Sequence, residues 1–370
     1  MNILLFYHSL LSDWNHGNAH FLRGIATELL ARGNTVTVFE PKNNWSISNL
    51  FAENGAEAIT EFYKYYPQLK STTYDETLDL DAVLGEADLV IVHEWNDHAL
   101  VKSIGEKKRM HDFKLLFHDT HHRAVTDRKG ISSYDLSNYD GVLAYGAVIK
   151  DIYLKEGWVP KAWTWHEAAD TNVFKPLISD EYEGDLVWIG NWGDDERTKE
   201  LHEFLIQPVK ELGLKATIYG VRYPEEAKKA LSDAGIRYKG WLPNFKAPEV
   251  FSRYRFTVHV PRGPYVKSLP GIPTIRPFEA LACGIPLLSS PWDDAENLFT
   301  PGEDFIIARN GKEMKEWMQQ LVSDQALAES LSKNGLKTIQ DKHTCAHRVD
   351  QLYAICEEIG VKNIAHQITA

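Results

Sequence analysis

Cysteine is scarce in this chain, with three in 370 residues: Cys283, Cys345 and Cys356. Their spacing matches neither a disulfide framework nor a zinc site, which points to a reducing compartment. No apolar run is long enough to span a bilayer. The apolar run 2–7 is only a strand's length and lacks a basic stretch or small-residue cleavage site, so it does not read as a secretory leader. Positive charge is in deficit, with 40 Lys plus Arg against 52 Asp plus Glu and a net charge of −12. Bulk charge therefore excludes recruitment to nucleic acid or an anionic membrane and leaves only local basic pockets. A dinucleotide fingerprint is missing too. The loop after the first apolar run holds one glycine, Gly17, where G-x-G-x-x-G needs three, which gives redox chemistry little support. There is no short-period repeat. The expectation is a soluble, cytoplasmic protein with no integral membrane segment.

What is present is a globular composition, 44% apolar and 25% charged. The length suits two domains of roughly 150–200 residues. Residues 2–7 read as a strand buried on both faces. Phe21, Leu22, Ile25, Ala26, Leu29 and Leu30 then form a helical stripe, and 35–40 is a second strand. Residues 43–85 are rich in Tyr, Asn and Glu and read as helices and a surface excursion with no readable motif. Further strands follow at 87–93, 114–118, 141–145 and 161–166. After a polar, turn-rich stretch at 170–184, strands and helices alternate again through 308, and three helices close the chain near 311–322, 325–340 and 345–359. This alternation predicts an α/β protein of two doubly wound Rossmann-like domains facing a central cleft. The expected division is 1–175, 176–343, and a C-terminal helix and tail, 344–370, crossing back to the first domain.

The chain is organised around residues 271–291. Thr274 is expected to cap a helix through its hydroxyl, with Pro277 in the first turn. Gly284 and Pro286 stop the helix before a short buried strand. The helix start then opens at the carboxyl edge of a parallel sheet, where anions bind. Arg276 and Glu279 lie three apart on it. They pair with one another, or Glu279 accepts two hydroxyls such as a ribose diol while the N–H groups of Thr274 and Ile275 hold a phosphate. Gly190 and Asn191 open a second loop that leads to Arg197. Arg197, Arg262 and Lys267 are candidate diphosphate clamps, or else solvated surface charge.

Histidines are the other signal. His93, His118 and His166 each end a predicted strand. The run from His118 and Asp119 to His121 and His122 superficially resembles a metal site but lacks the four N/S ligands of structural zinc. No tightly bound metal or cofactor is expected. A histidine held by a carboxylate and touching substrate hydroxyls fits better. Of eleven tryptophans, Trp14, Trp95 and Trp192 fall in strand-to-helix loops, where an indole can stack on a sugar or base.

Taken in order, these features resemble a GT-B glycosyltransferase, close to glycosyltransferase family four and its spore-maturation-protein-like branch. The matching pieces are the strand, Gly17 loop and helix through Leu30; the run from Asp88 to Trp95; the run from Ala169 to Pro176; Gly240-Trp-Leu-Pro-Asn; and the run from Arg276 to Pro286, the most specific. The resemblance implies that the C-terminal domain binds a nucleotide-sugar and the N-terminal domain presents the acceptor. It implies that Glu279 contacts the donor ribose, Arg197 the phosphates, and Gly240, Trp241 and Leu242 the base. Gly17, His93, Trp95 and His166 fall on the acceptor side. Many family members carry a second glutamate, contacting the donor sugar, eight residues before the first. Gly271 stands there instead, so retention of configuration does not follow from the likeness.

The expected activity is transfer of a hexosyl group from a nucleoside-diphosphate-sugar, UDP- or GDP-linked, to an unidentified acceptor (a glycan, lipid-linked molecule, small molecule or protein). The nucleotide-sugar is a substrate and no metal takes part. For an inverting reaction His118 with Asp119 is the first expected base, and Asp13 or His16 the second. A nucleotide-sugar 2-epimerase of the same fold and a non-catalytic sugar-nucleotide-binding protein are the alternatives.

Overall fold

The computed structural model describes residues 1–179 and 181–364. It divides into two compact units. Met1–Glu167 and the described residues from Cys345 onward make the first, and Ala168–Thr344 the second.

In the first unit seven strands lie parallel: β1 (Asn2–Phe6), β2 (Thr35–Pro41), β3 (Ser71–Tyr74), β4 (Leu89–His93), β5 (Lys114–Asp119), β6 (Gly141–Ala144) and β7 (Ala162–Thr164). Their order is β3-β2-β1-β4-β5-β6-β7. All five residues of β4 are buried, as a strand covered on both faces requires. The direction of winding reverses between β1 and β4, so the loops after these two strands part above the sheet's carboxyl edge. That is where ligands of doubly wound sheets bind. The helix Ala19–Ala31 follows β1 and buries most of its length. The helix Cys345–Ile359 also belongs to this unit. Arg32 reaches Asp350 at 2.5 Å and the carbonyl of Ala346 at 3.0 Å, and the Trp165 indole donates to the carbonyl of Arg348. Residues 365–370 of the expected tail lie outside the described residues.

The second unit has six parallel strands: β8 (Gly184–Ile189), β9 (Ala216–Tyr219), β10 (Arg237–Tyr238), β11 (Tyr254–His259), β12 (Leu287–Ser289) and β13 (Ile306–Ile307). Their order is β10-β9-β8-β11-β12-β13, with the reversal between β8 and β11. Its core begins earlier than residue 176, because Ala169 and Phe174 are fully buried in the same cluster as Val187, Phe278 and Leu281. The turn-rich composition of 170–184 conceals Phe174, and Ala169 directly precedes that stretch.

Three local features add to or depart from the sequence reading. Residues 43–85 are ordered as the helices Trp45–Asn54, Glu57–Tyr65 and Leu80–Leu84 and the edge strand β3, whose half-exposed Ser-Thr-Thr-Tyr carries no apolar pattern. The helix after Arg197 is interrupted by a π turn, His202–Ile206. The loop before the helix Ile275–Ala282 contains a further short helix, Gly263–Ser268. Among the described residues no helix is long and apolar enough to cross a membrane.

Candidate functional site

The second sheet's reversal point gathers most of the residues expected to bind a donor. Arg197 stands at its centre and ties the two loops together. It donates to the carbonyls of Asn191 after β8 (2.5 Å), Trp192 (3.4 Å) and Val260 after β11 (2.5 Å). Its guanidinium also lies 5.1 Å over the Trp188 ring. Burial, with the charges of Arg262 and Arg276 adding to it, lowers its pKa to about 10. Arg262 and Arg276 therefore stand within electrostatic reach of Arg197, whose own hydrogen bonds go to carbonyls. Arg262 pairs with Glu196 at 2.5 Å. Lys267 lies exposed on the helix Gly263–Ser268.

Asn191 turns its side-chain oxygen to the N–H of Val221, and Gly190 accepts from the Tyr223 hydroxyl, so both residues shape the loop through close contacts. Trp192, expected to stack on a ligand, is instead buried beside Tyr223 in the core. His259 closes β11 with Nδ1 against the Ser289 hydroxyl at 3.0 Å. Burial and the nearby Arg197 and Arg276 charges push it down to about 3, so it is a neutral imidazole beneath the arginines.

The helix Ile275–Ala282 opens beside them, but Thr274 does not cap it with its side chain. Thr274 has φ 64° and ψ −176°, a region almost confined to glycine and not the extended backbone of an ordinary N-cap. Ile275 is buried directly after it. Glu279 is completely buried, paired with Arg276 and accepting from the Asn244 side chain at 2.6 Å. Asn244 begins the short helix after Gly240-Trp-Leu-Pro, so Gly240, Trp241 and Leu242 are joined to the Glu279 helix through this bond. Gly240 accepts from the N–H of Gly220 at the end of β9, and Trp241 and Leu242 are half-buried. Asn244 and His259 escaped sequence reasoning. The first lay inside a quoted motif without a role, and the second was an ordinary strand residue.

A glutamate at Gly271 would be strained here. Its φ is 85°, and a Cβ would lie 2.7 Å from Cγ and Oε1 of Glu296. Its N–H is held by the carbonyl of Asp293 at 2.6 Å.

In the first unit, His16, His93, His118 and Trp95 come together at the β1/β4 edge. His118 is fully buried, with Nδ1 against the Tyr7 hydroxyl at 2.7 Å. Burial pushes its pKa down to about 3. The expected dyad with Asp119 does not form. Neighbours on a strand point to opposite faces, and Asp119 accepts from the Tyr153 hydroxyl at 2.8 Å and the N–H of His121. Burial raises Asp119 to about 6, and burial with the charge of Asp119 raises Glu94 to about 8 against the pull of its partner Arg123. Asp13 is ion-paired with the buried Arg23 at 2.8 Å, and Arg23 also braces the carbonyls of Leu10 and Leu11. Asp13 thus pins the loop that carries His16. Gly17 is exposed, with its carbonyl accepting from the N–H of His20. His93 stacks on Tyr7 with centroids 4.8 Å apart and meets the Thr120 hydroxyl at 2.8 Å. His166 points Nδ1 at the carbonyl of Tyr145, away from the other histidines' bonds. Trp14 is buried, with its indole donating to Glu53, and offers no open face. Among the described residues no group of three His, Cys, Asp or Glu has the geometry to hold a metal ion.

Comparison with known proteins places this geometry. Residues 197–354 match the model of a family described as glycosyl transferase-like. No curated protein matches the chain. Among solved structures, the chain is similar to an α-glucosyltransferase in complex with UDP and a 13-mer DNA containing an HMU base, at 14% identity and a TM-score of 0.71 over 96% of this chain and 99% of that one. It is similar to HepE of Anabaena in complex with UDP-glucose, at 11% identity and a TM-score of 0.67 over 97% and 100%. A third is sucrose-phosphate synthase from Thermosynechococcus elongatus, at 16% identity and a TM-score of 0.63 over 97% and 99%.

Proposed function

We propose that this chain, which has the GT-B fold and a glycosyl transferase-like stretch over residues 197–354, transfers a hexosyl group from a nucleoside-diphosphate-sugar to an acceptor hydroxyl. The observation that carries the reading is the convergence of Arg197, Arg262 and Arg276 on the reversal point of the second sheet, beside the helix that presents Glu279. A diphosphate answers the three cations and the N–H groups of Thr274 and Ile275. The Glu279 carboxylate, held by Arg276 and Asn244, is the acceptor for a ribose diol, and Gly240–Leu242 border the base. HepE is described with UDP-glucose, which favours a UDP-linked donor.

In the transfer, the acceptor oxygen bonds to the sugar's anomeric carbon as the bond from that carbon to the diphosphate oxygen breaks. Negative charge grows on the departing diphosphate, where the arginines stabilise it without a tightly bound metal. The acceptor proton needs a destination. His118 and His16 are both held neutral far below the working range of a base, and Asp13 is tied to Arg23. The reading therefore gives the proton to the departing phosphate oxygen and leaves the histidines to position hydroxyls.

The test is a thermal-shift screen of UDP-, GDP-, TDP- and ADP-sugars, followed by a transfer assay with the donor that binds. Donor is also incubated alone, so isomerisation of its sugar, the epimerase outcome, is read in the same experiment. Transfer that disappears in Glu279→Ala with folding intact supports the proposal. Undiminished turnover in that variant overturns it.

A further inference from the structure

Five side chains meet at the reversal point of the first sheet. His8 and His16 come from the loop after β1, Trp45 from the helix after β2, and His93 and Trp95 from the end of β4. The His8 ring lies 4.5 Å from that of Trp45, 5.2 Å from that of His16 and 6.3 Å from that of Trp95. Trp45 and Trp95 meet edge to face at 6.1 Å, and His16 lies 6.4 Å from His93. The three imidazoles are buried, at 4%, 6% and 0% exposure. Both indoles keep part of their surface open. The array is an accessible aromatic mouth with imidazoles behind it.

Those imidazoles are incompletely bonded. Nε2 of His8, Nε2 of His16 and Nδ1 of His93 have no hydrogen-bond partner in the structure. Buried polar atoms are nearly always partnered, so three of them in one cluster mark a place where a ligand completes the bonding. Packing alone gives no reason to gather three histidines there, since phenylalanine would fill the same volume without unpaired nitrogens.

The chemistry selects the ligand. Burial lowers His8 to about 4 and holds His16 and His93 well below their usual range, so the rings carry no charge at neutral pH. Arg123 packs 4.4 Å over Trp95, with its guanidinium bonded to the carbonyl and the carboxyl of Glu94. None of the five side chains carries a charge to meet a phosphate or a carboxylate. A neutral imidazole offers one N–H and one lone pair, and a hydroxyl can satisfy either. Indole faces take the apolar face of a sugar ring while its hydroxyls point to polar groups.

We propose that His8, His16, Trp45, His93 and Trp95 form a binding site for an uncharged sugar ring, so that the acceptor is a neutral glycan end. The acceptor role rests on the transfer reading above, and the binding itself does not.

The probe is a panel of neutral methyl glycosides and their disaccharides, observed by saturation-transfer NMR on the full-length protein, with inorganic phosphate as competitor. Saturable contact to ring protons is expected, with at least a tenfold loss of affinity in Trp45→Ala and in His8→Phe. His8→Gln, which keeps a hydrogen-bonding group, recovers part of the loss. UDP affinity, measured by calorimetry in the same variants, stays at the wild-type value. Contact with no neutral glycoside, contact unchanged in both variants, or displacement by phosphate overturns the site. Donor binding without glycoside binding rejects this inference alone, whereas glycoside binding without donor binding rejects the transfer reading alone.

Discussion

Asn244 donates a 2.6 Å hydrogen bond to Glu279, linking the loop after β10 to the helix that begins beside β11. The bond leaves a fully buried carboxylate with an amide on one oxygen and Arg276 on the other. Hydrogen bonds to charged groups contribute about 1.5–3 kcal/mol, or roughly a tenfold to hundredfold change in affinity. Asn244→Ala is therefore expected to weaken UDP binding about tenfold, and Glu279→Ala about a hundredfold. Asn244→Asp sets a second carboxylate against Glu279 and is expected to bind UDP more weakly than Asn244→Ala. Calorimetric titration with UDP checks the order, and equal affinities in all three variants reject the role.

Arg197 is expected to matter twice. Removing it takes the Arg197 hydrogen bonds from three carbonyls of two loops, so Arg197→Ala should lower the unfolding temperature, and Arg197→Lys should recover little of it because an ammonium cannot span the three. Separately, affinity for UDP should fall much further than affinity for uridine. A uniform loss for both ligands would mean that Arg197 only holds the loops.

Gly271→Glu does not restore a sugar-binding carboxylate on this scaffold. The positive φ alone costs about 1–3 kcal/mol for any side chain, and the Cβ meets Glu296 as well. Urea denaturation should show Gly271→Ala destabilised, with Glu296→Ala in the same chain relieving the collision but not the backbone cost. A Gly271→Ala protein as stable as wild type would contradict the strain.

Stability should fall on the acid side of neutrality. His118 and His259 are held near 3 against about 6.5 when exposed. Below about 6.5 the unfolded chain takes up protons that the folded chain refuses, so stability declines as the pH drops from 6.5 toward 3. One such histidine contributes about 3 kcal/mol of loss by pH 4. His118→Gln should flatten that decline in urea titrations at pH 7, 5.5 and 4.5. The buried acids act in the opposite sense. Glu94, raised from 4.5 to about 8, contributes stability below 4.5 that is lost as the pH rises to 8. Glu94→Gln should therefore lose less stability between pH 6 and 8 than wild type does.

Much of this was legible beforehand. The continuous apolar runs of β1, β4 and β5, alternating with helical or loop segments, point to a doubly wound parallel sheet, and the spacing of three between Arg276 and Glu279 gives their pairing as one of two readings. The Thr274 cap was not foreseeable, because a threonine before a helix signals capping unless its backbone is forced to positive φ. The His118–Asp119 dyad failed for a simple geometric reason. Adjacent letters suggest contact, but adjacent side chains on a strand point apart. Trp45 fell in a stretch with no pattern, since its partners lie far along the chain on other elements.

The stretch from residue 271 to 291 shows the division. Its sequence by itself determined a helix stopped at Gly284, a following strand, and a carboxylate one turn into the helix, because these depend on local backbone preferences. The likeness to glycosyltransferases is carried by the same residues. Only the tertiary structure decided that Asn244 holds Glu279, that Arg197 joins the loops after β8 and β11, and that Glu296 occupies the space beside Gly271. These are contacts between segments remote along the chain, created when a parallel sheet brings its carboxyl ends to one edge. That edge decides which charges converge and which stay apart.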